Sequence, residues 1–218
     1  MSKGPLRNEP EVKATAGAAW VDRFLLPLFA QRFPGQSSLS CLQLVPDDPT
    51  EAARLAECGH HCEMQTPDLS LEIKAPAASY DFVFIGRFPA LARTESKRVG
   101  FAREIHRVLR PGGSLLLVAG NRWGPLDLSR NGSLIHGLGS SVCLSRGDAA
   151  RIFVEEARFA GIEFLNVAGH FGWNRLPRTL RLFGHLADLY WRRLAKPGVP
   201  WLYFGPFNPT LILWINKA

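Results

Sequence analysis

Apolar residues along this chain fall into two alternating patterns. Short, nearly unbroken runs (the stretch from Leu39 to Val45, YDFVFIG from Tyr80, SLLLVAG from Ser114, IEFLNVAG from Ile162 and TLILWINKA from Thr210) are what strands covered on both faces require. Between them, apolar side chains recur every three to four residues: Trp20, Phe24, Leu25 and Leu28, then Val99, Ala102, Ile105 and Leu109, then Leu180, Phe183, Ala187 and Tyr190. That spacing places them on one face of a helix. The pattern predicts helices over 16–32, 48–59, 94–109, 145–160 and 176–195. His60 to Thr66 reads as a further, more polar strand. Strands alternating with helices build a mostly parallel sheet with helices on both faces, a doubly wound α/β fold.

Local signals sharpen the boundaries. Asp48 suits a helix N-cap, with Pro49 at the first helical position, Glu51 completing a capping box and Gly59 closing the helix. Ser145 and Asp148 repeat that box, and Gly161 is expected to stop their helix. RPGG at 110–113 reads as a turn. The chain divides into a polar tail over 1–15 and a single domain over 16–218. Within that domain, 121–147 is a loop rich in Gly, Ser and Asn, and 171–208 is a helical, aromatic cover.

Composition narrows the class. At 218 residues the chain suits one domain with a sizeable core, and 46% hydrophobic with 21% charged residues is ordinary for a globular fold. No apolar run approaches the length that spans a bilayer, and the polar start lacks the apolar core of a secretory signal, so a cytoplasmic protein is expected. Cys41, Cys58, Cys62 and Cys143 have no framework spacing, which fits a reducing compartment. Cys58, His60, His61 and Cys62 are all metal-ligand types. Adjacent residues on a strand point to opposite faces, so no metal is expected there.

The net charge of +7 is uneven: residues 151–218 hold 9 basic and 4 acidic groups. Arginines mixed with aromatics in FGWNRLPRTLRLFG and YWRRLAKPG suit a lid over a hydrophobic substrate or contact of the basic C-terminal helix with an anionic membrane surface. No nucleic-acid motif accompanies them, and nucleic acid is not an expected partner.

SYDFVFIGRF, followed by a helix ending EIHRVLRPGGSLLLVAGNRW, resembles the class I S-adenosylmethionine-dependent methyltransferases, of the type 11 kind. That family reads S-F-D-x-V at one strand and R-V-L-K-P-G-G-x-L at the turn into the next. The match covers Ser79 to Val118, and EEARFAGIEFLNV resembles the helix and strand that follow. The resemblance implies a Rossmann-like methyltransferase fold with an antiparallel last strand and S-adenosylmethionine as cofactor. It carries the cofactor site to Val45, Pro46 and Asp47 after the first strand, to Thr66 and Asp68, with Glu63 beside them, after the second, and to Gly86 and Arg87 after YDFVFI. Asn121, Arg122 and Trp123 follow the next strand end and are candidates to touch a small-molecule substrate.

Two departures stand beside it. The family's D-x-G-x-G turn lets backbone approach the cofactor, whereas Leu42 to Asp48 reads LQLVPDD, without glycine. Pro46 and Pro49 remove amide donors, which disfavours phosphate and leaves Asp47 for a cationic ligand. Pro67 to Tyr80 is also too short for the helix and strand the family fits there, so that region should be reduced. Two activities follow: methyl transfer to a small hydrophobic molecule, or a non-catalytic homologue serving as a binding or scaffold subunit. The oligomeric state stays open.

Overall fold

The computed structural model describes residues 21–45, 49–86, 88–89, 91–121, 142–165 and 210–218. The tail over 1–15, the cover over 171–208 and most of the loop over 121–147 lie outside the described residues. Helix α1 begins as a π-helical turn, Val21–Leu25, and continues as α-helix over Leu26–Arg32. There follow β1 (Ser40–Leu44), α2 (Thr50–Glu57), β2 (His61–Gln65), β3 (Tyr80–Ile85), α3 (Glu95–Val108) and β4 (Leu109–Asn121). The two-residue β5 (Cys143–Leu144), α4 (Arg146–Ala149, continued as π-helix over Ala150–Glu156), β6 (Gly161–Leu165) and β7 (Thr210–Asn216) complete the described elements.

The strands form one sheet in the order β2-β1-β3-β4-β7-β6, with β5 paired to the end of β4. Pairings among β1, β2, β3, β4 and β5 are parallel, and β7 runs antiparallel to both β4 and β6. This is the mostly parallel sheet with an antiparallel last strand that the resemblance implies. Alternate residues of the central strands feed two cores, as period-two geometry demands. Leu42, Leu44, Val83, Ile85, Leu115 and Leu117 pack with Phe101, Ile105 and Phe153 of α3 and α4. Cys41, Phe82, Phe84, Leu116 and Trp214 pack with Leu25, Phe29 and Leu55 of α1 and α2. Burial on both faces explains why these strands carry almost no polar side chains, and why β2, with one strand neighbour among the described residues, does.

Several boundaries depart from expectation for physical reasons. Helix α2 starts at Thr50 with Pro49 as N-cap and no side-chain cap bond from it, one residue later than the predicted frame. Asp48, the predicted cap, lies outside the described residues; within them, Gln43 Oε1 accepts from Ala52 N at 3.2 Å, and Gln43 Nε2 donates to Glu51 Oε2 at 3.2 Å. RPGG is a bulge within β4 rather than a turn before it, because Tyr80 pairs with Leu109 but Phe82 pairs with Ser114. Gly112 has φ +74°, and a Cβ on Gly113 would meet the Arg110 carbonyl at 2.9 Å, so both glycines are required. The Ser145–Asp148 capping box forms as predicted. The helix behind it ends at Glu156, and Arg158 at φ +64° makes the turn that Gly161 was expected to make. Phe159 N then bonds Phe153 O at 3.0 Å, closing the helix end around Arg158, and Gly161 opens β6.

Between β2 and β3, residues 66–79 contain neither helix nor strand. Leu71 and Ile73 from this segment are 2% and 1% exposed and fill core space on the α3 side. Its carbonyls are met by Arg107 of α3, which donates Nη1 to Ala75 O at 2.8 Å and Nη2 to Ile73 O at 2.9 Å while gripping Glu104 at 2.9–3.2 Å. A guanidinium thus replaces the sheet neighbour that an irregular segment lacks.

Candidate functional site

Parallel register brings the strand ends together. Leu44 pairs with Gln65 and with Ile85, and Ile85 pairs with Leu117, so Val45, Thr66 and Gly86 follow side by side at one edge of the sheet. Strand β4 runs four residues beyond Leu117, and β7 occupies its far side up to Gly120, so β5 sits on the β3 side past the end of β3. This is the edge where open parallel sheets place their ligands.

Val45 carries the most informative conformation there. Its φ is +55°, a region costly for a β-branched residue and natural for glycine. Its N–H bonds Gln65 O at 2.9 Å, tying the turn to the end of β2. The backbone therefore holds, with a valine, the left-handed geometry that a glycine turn would adopt. Thr66 is exposed. Asp68 is exposed too, and its Oδ1 accepts from the Ser70 amide at 2.9 Å and from the Ser70 hydroxyl, which hold its carboxyl below the usual carboxylate range. Gly86 is exposed, and a Cβ there would meet only the Phe84 ring at 3.5 Å, so the fold itself does not demand a glycine. Pro46, Asp47, Arg87, Arg122 and Trp123 lie outside the described residues, as does the Asn121 side chain.

Glu63 is placed elsewhere. It sits within β2, where its Oε2 accepts from the Tyr80 hydroxyl at 2.6 Å, and burial with that bond pushes the phenol up to about 12. His60 is also occupied: Nδ1 accepts from Leu39 N at 3.3 Å and the ring lies 4.8 Å from Phe29, with burial lowering its pKa. Among the described residues no three His, Cys, Asp or Glu side chains gather closely enough to hold a metal ion.

One donor that sequence reasoning missed belongs to this edge. Helix α3 runs back along the sheet, so its first turns lie at the strand ends, and Arg98 shares the sheet-facing stripe of Phe101, Ala102 and Ile105. Arg98 Nε is buried without a hydrogen-bond partner among the described residues. A buried unmet donor is expensive, and in sequence this arginine looks like any charged helix residue.

The motif that carries the family resemblance lies at the opposite edge. Asp81 accepts from Ser40 N at 2.8 Å and takes both carboxylate oxygens to Arg110 Nη1 at 2.8 Å, clamping the starts of β1, β3 and β4 beside the RPGG bulge. Asp81 and RPGG are therefore a structural latch, remote from the candidate site.

The architecture is that of the class I S-adenosylmethionine-dependent methyltransferases. An S-adenosylmethionine-dependent methyltransferase from Methanosarcina mazei superposes with a TM-score of 0.50 at 14% identity, over 88% of this chain and 97% of that one. A possible histamine N-methyltransferase from Thermotoga maritima gives 0.52 at 12%, over 92% and 93%. The Haemonchus contortus phosphoethanolamine N-methyltransferase 2, in complex with phosphomonomethylethanolamine and S-adenosylhomocysteine, gives 0.53 at 13%, over 95% of this chain and 58% of that one. No family model matches the sequence, and no curated protein does. At these identities the likeness establishes the fold and leaves the chemistry to the residues.

Proposed function

We propose that the protein is an S-adenosylmethionine-dependent methyltransferase acting on a small, hydrophobic molecule. The observation that carries this reading is the left-handed Val45 at the end of β1, beside Thr66 and Gly86: a strained turn is kept where the fold places its cofactor. Val45, Thr66, Asp68 and Gly86 are the described residues that would hold the cofactor, with Pro46, Asp47 and Arg87 next to them in sequence. Arg98 would pair with a carboxylate of cofactor or substrate. The cofactor supplies an activated methyl group, so the protein's contribution is placement and exclusion of water rather than acid-base chemistry. Asn121, Arg122 and Trp123 are assigned to the substrate. No helix among the described residues is long and apolar enough to cross a membrane.

A second reading, a non-catalytic homologue acting as a binding subunit, is favoured by the interior of the same turn. Gln43 consumes the α2 donor at Ala52, Tyr80 holds Glu63, and Thr66 stands where the family sets an acid. Calorimetric titration with S-adenosylmethionine separates the two. Saturable binding lost in Arg98→Met supports the enzyme, whereas no heat at about millimolar cofactor supports the binding subunit.

A further inference from the structure

Two of the four cysteines are direct register partners: Cys41 of β1 stands opposite Cys62 of β2. Register partners on parallel strands project to the same face, and both side chains belong to the core beneath α1, Cys41 buried and Cys62 partly exposed. Neighbouring strands are spaced about 4.8 Å apart, inside the window of roughly 4.4–6.8 Å between Cα atoms that a disulfide accepts. Among the described residues β2 has β1 as its one strand neighbour, so it has room for the small shift that bonding needs. Cys58 is exposed on the turn after α2, and Cys143 lies on β5, past the end of β3 beside β4.

We propose that Cys41 and Cys62 form a reversible redox site, in which hydrogen peroxide oxidises Cys62 and Cys41 resolves the product into a disulfide across β1 and β2. In the first step the Cys62 thiolate attacks the peroxide oxygen, the O–O bond breaks, and Cys62 becomes a sulfenic acid while the leaving hydroxide takes a proton to give water. In the second, Cys41 sulfur attacks Cys62 sulfur, the S–O bond breaks, and the departing hydroxide takes the Cys41 proton as a second water. The two thiols lose two electrons in total, and the peroxide gains them.

The electrostatics divide these roles. The Cys41 thiol donates to the Leu39 carbonyl, 3.8 Å away, and stands opposite Cys62 across the strand pair. Interaction between the two thiols draws the Cys62 pKa down, making it the nucleophile, and pushes Cys41 up. The largest cause of the Cys41 rise is Cys62 itself, and oxidation of Cys62 removes its negative charge. The resolving thiol is thus released when it is needed. The bond would close the segment that contains Val45 and α2 and leads to Thr66, tying two walls of the candidate site together.

Reduced full-length protein treated with stoichiometric hydrogen peroxide, alkylated under denaturing conditions and mapped by mass spectrometry tests this. The expected result is loss of two hydrogens from the intact mass, reversed by dithiothreitol, with a peptide joining Cys41 to Cys62. Cys62→Ser should leave Cys41 fully alkylated, and Cys41→Ser should drive Cys62 on to sulfinic acid. Cys41 still alkylated in peroxide-treated wild type, or Cys62 joined to Cys58, overturns the proposal. Should Cys41→Ser not fold, the wild-type map decides alone.

Discussion

Replacing Arg107 by Met keeps the aliphatic stem and removes the donors that hold residues 66–79 in place. Arg107 makes two bonds to backbone carbonyls, at Ala75 and Ile73, and an ion pair with Glu104 in which the side chains are 36% and 28% exposed. Bonds from a charged donor contribute about 1.5–3 kcal/mol each when shielded, and a half-exposed ion pair about 0.5 kcal/mol. Discounting for partial exposure and for water replacing the guanidinium, the loss should be about 2–3 kcal/mol, or roughly 4–12 °C in Tm for a chain this long. The loss should also depend on pH. Hydrogen bonding to Arg107 holds the Glu104 carboxyl below its ordinary 4.5. A depressed carboxylate contributes stability above its unfolded pKa and loses it as pH falls through the folded value. Arg107→Met removes the main cause of that depression, so its deficit relative to wild type should be larger at about pH 7 than at about pH 3, while the carbonyl bonds keep some deficit at both. Urea unfolding followed by tryptophan fluorescence measures this directly. A deficit under about 0.5 kcal/mol, or one that does not change with pH, would refute the idea that Arg107 substitutes for a missing sheet neighbour.

Other perturbations test the site and its surroundings. Val45→Gly should leave stability within about 1 kcal/mol by thermal denaturation, because relief of about 1–3 kcal/mol of left-handed strain offsets glycine's entropy and the lost side chain. A loss near 3 kcal/mol would show the turn to be unstrained. Gly86→Ala should unfold like wild type, since the fold has space for the methyl group, yet bind S-adenosylmethionine several-fold more weakly in calorimetry if backbone approaches the cofactor there. Gln43→Leu should cost about 1–3 kcal/mol in urea by stranding the buried Ala52 amide, and a neutral result would place the α2 cap elsewhere. Tyr80→Phe should abolish a tyrosine titration near 12 in ultraviolet absorbance. Because that pKa is raised above its unfolded value of 10, the stability Tyr80 adds is full below pH 10 and is lost as pH climbs through about 12.

How much of this was legible in the sequence depended on the range of the interactions involved. Unbroken apolar runs betrayed the two-faced strands, because burial on both sides leaves no tolerated polar position. Ser145 and Asp148 announced their capping box three residues apart. The short stretch after Thr66 foretold the reduced region, since too few residues remained for two elements. Glu63, read as a neighbour of the cofactor acids, was misjudged because its partner, Tyr80, lies 17 residues on and two strands away. Arg158 turned the chain where Gly161 was expected, because an arginine in the left-handed region leaves no glycine signal in the sequence.

By itself, then, the sequence determined the fold class, the order of elements and the loss of the glycine turn, all of which rest on local period, capping and steric freedom. Only the tertiary structure decided what the recognisable residues do. Asp81 and RPGG, which mark the family, form a latch at the edge opposite the candidate site, while an inconspicuous Val45 keeps the glycine-like turn and Arg98 holds a buried donor without a partner among the described residues. Register across the sheet decides such matters, because it sets which of several chemically similar side chains share an edge, and no spacing within one segment encodes it.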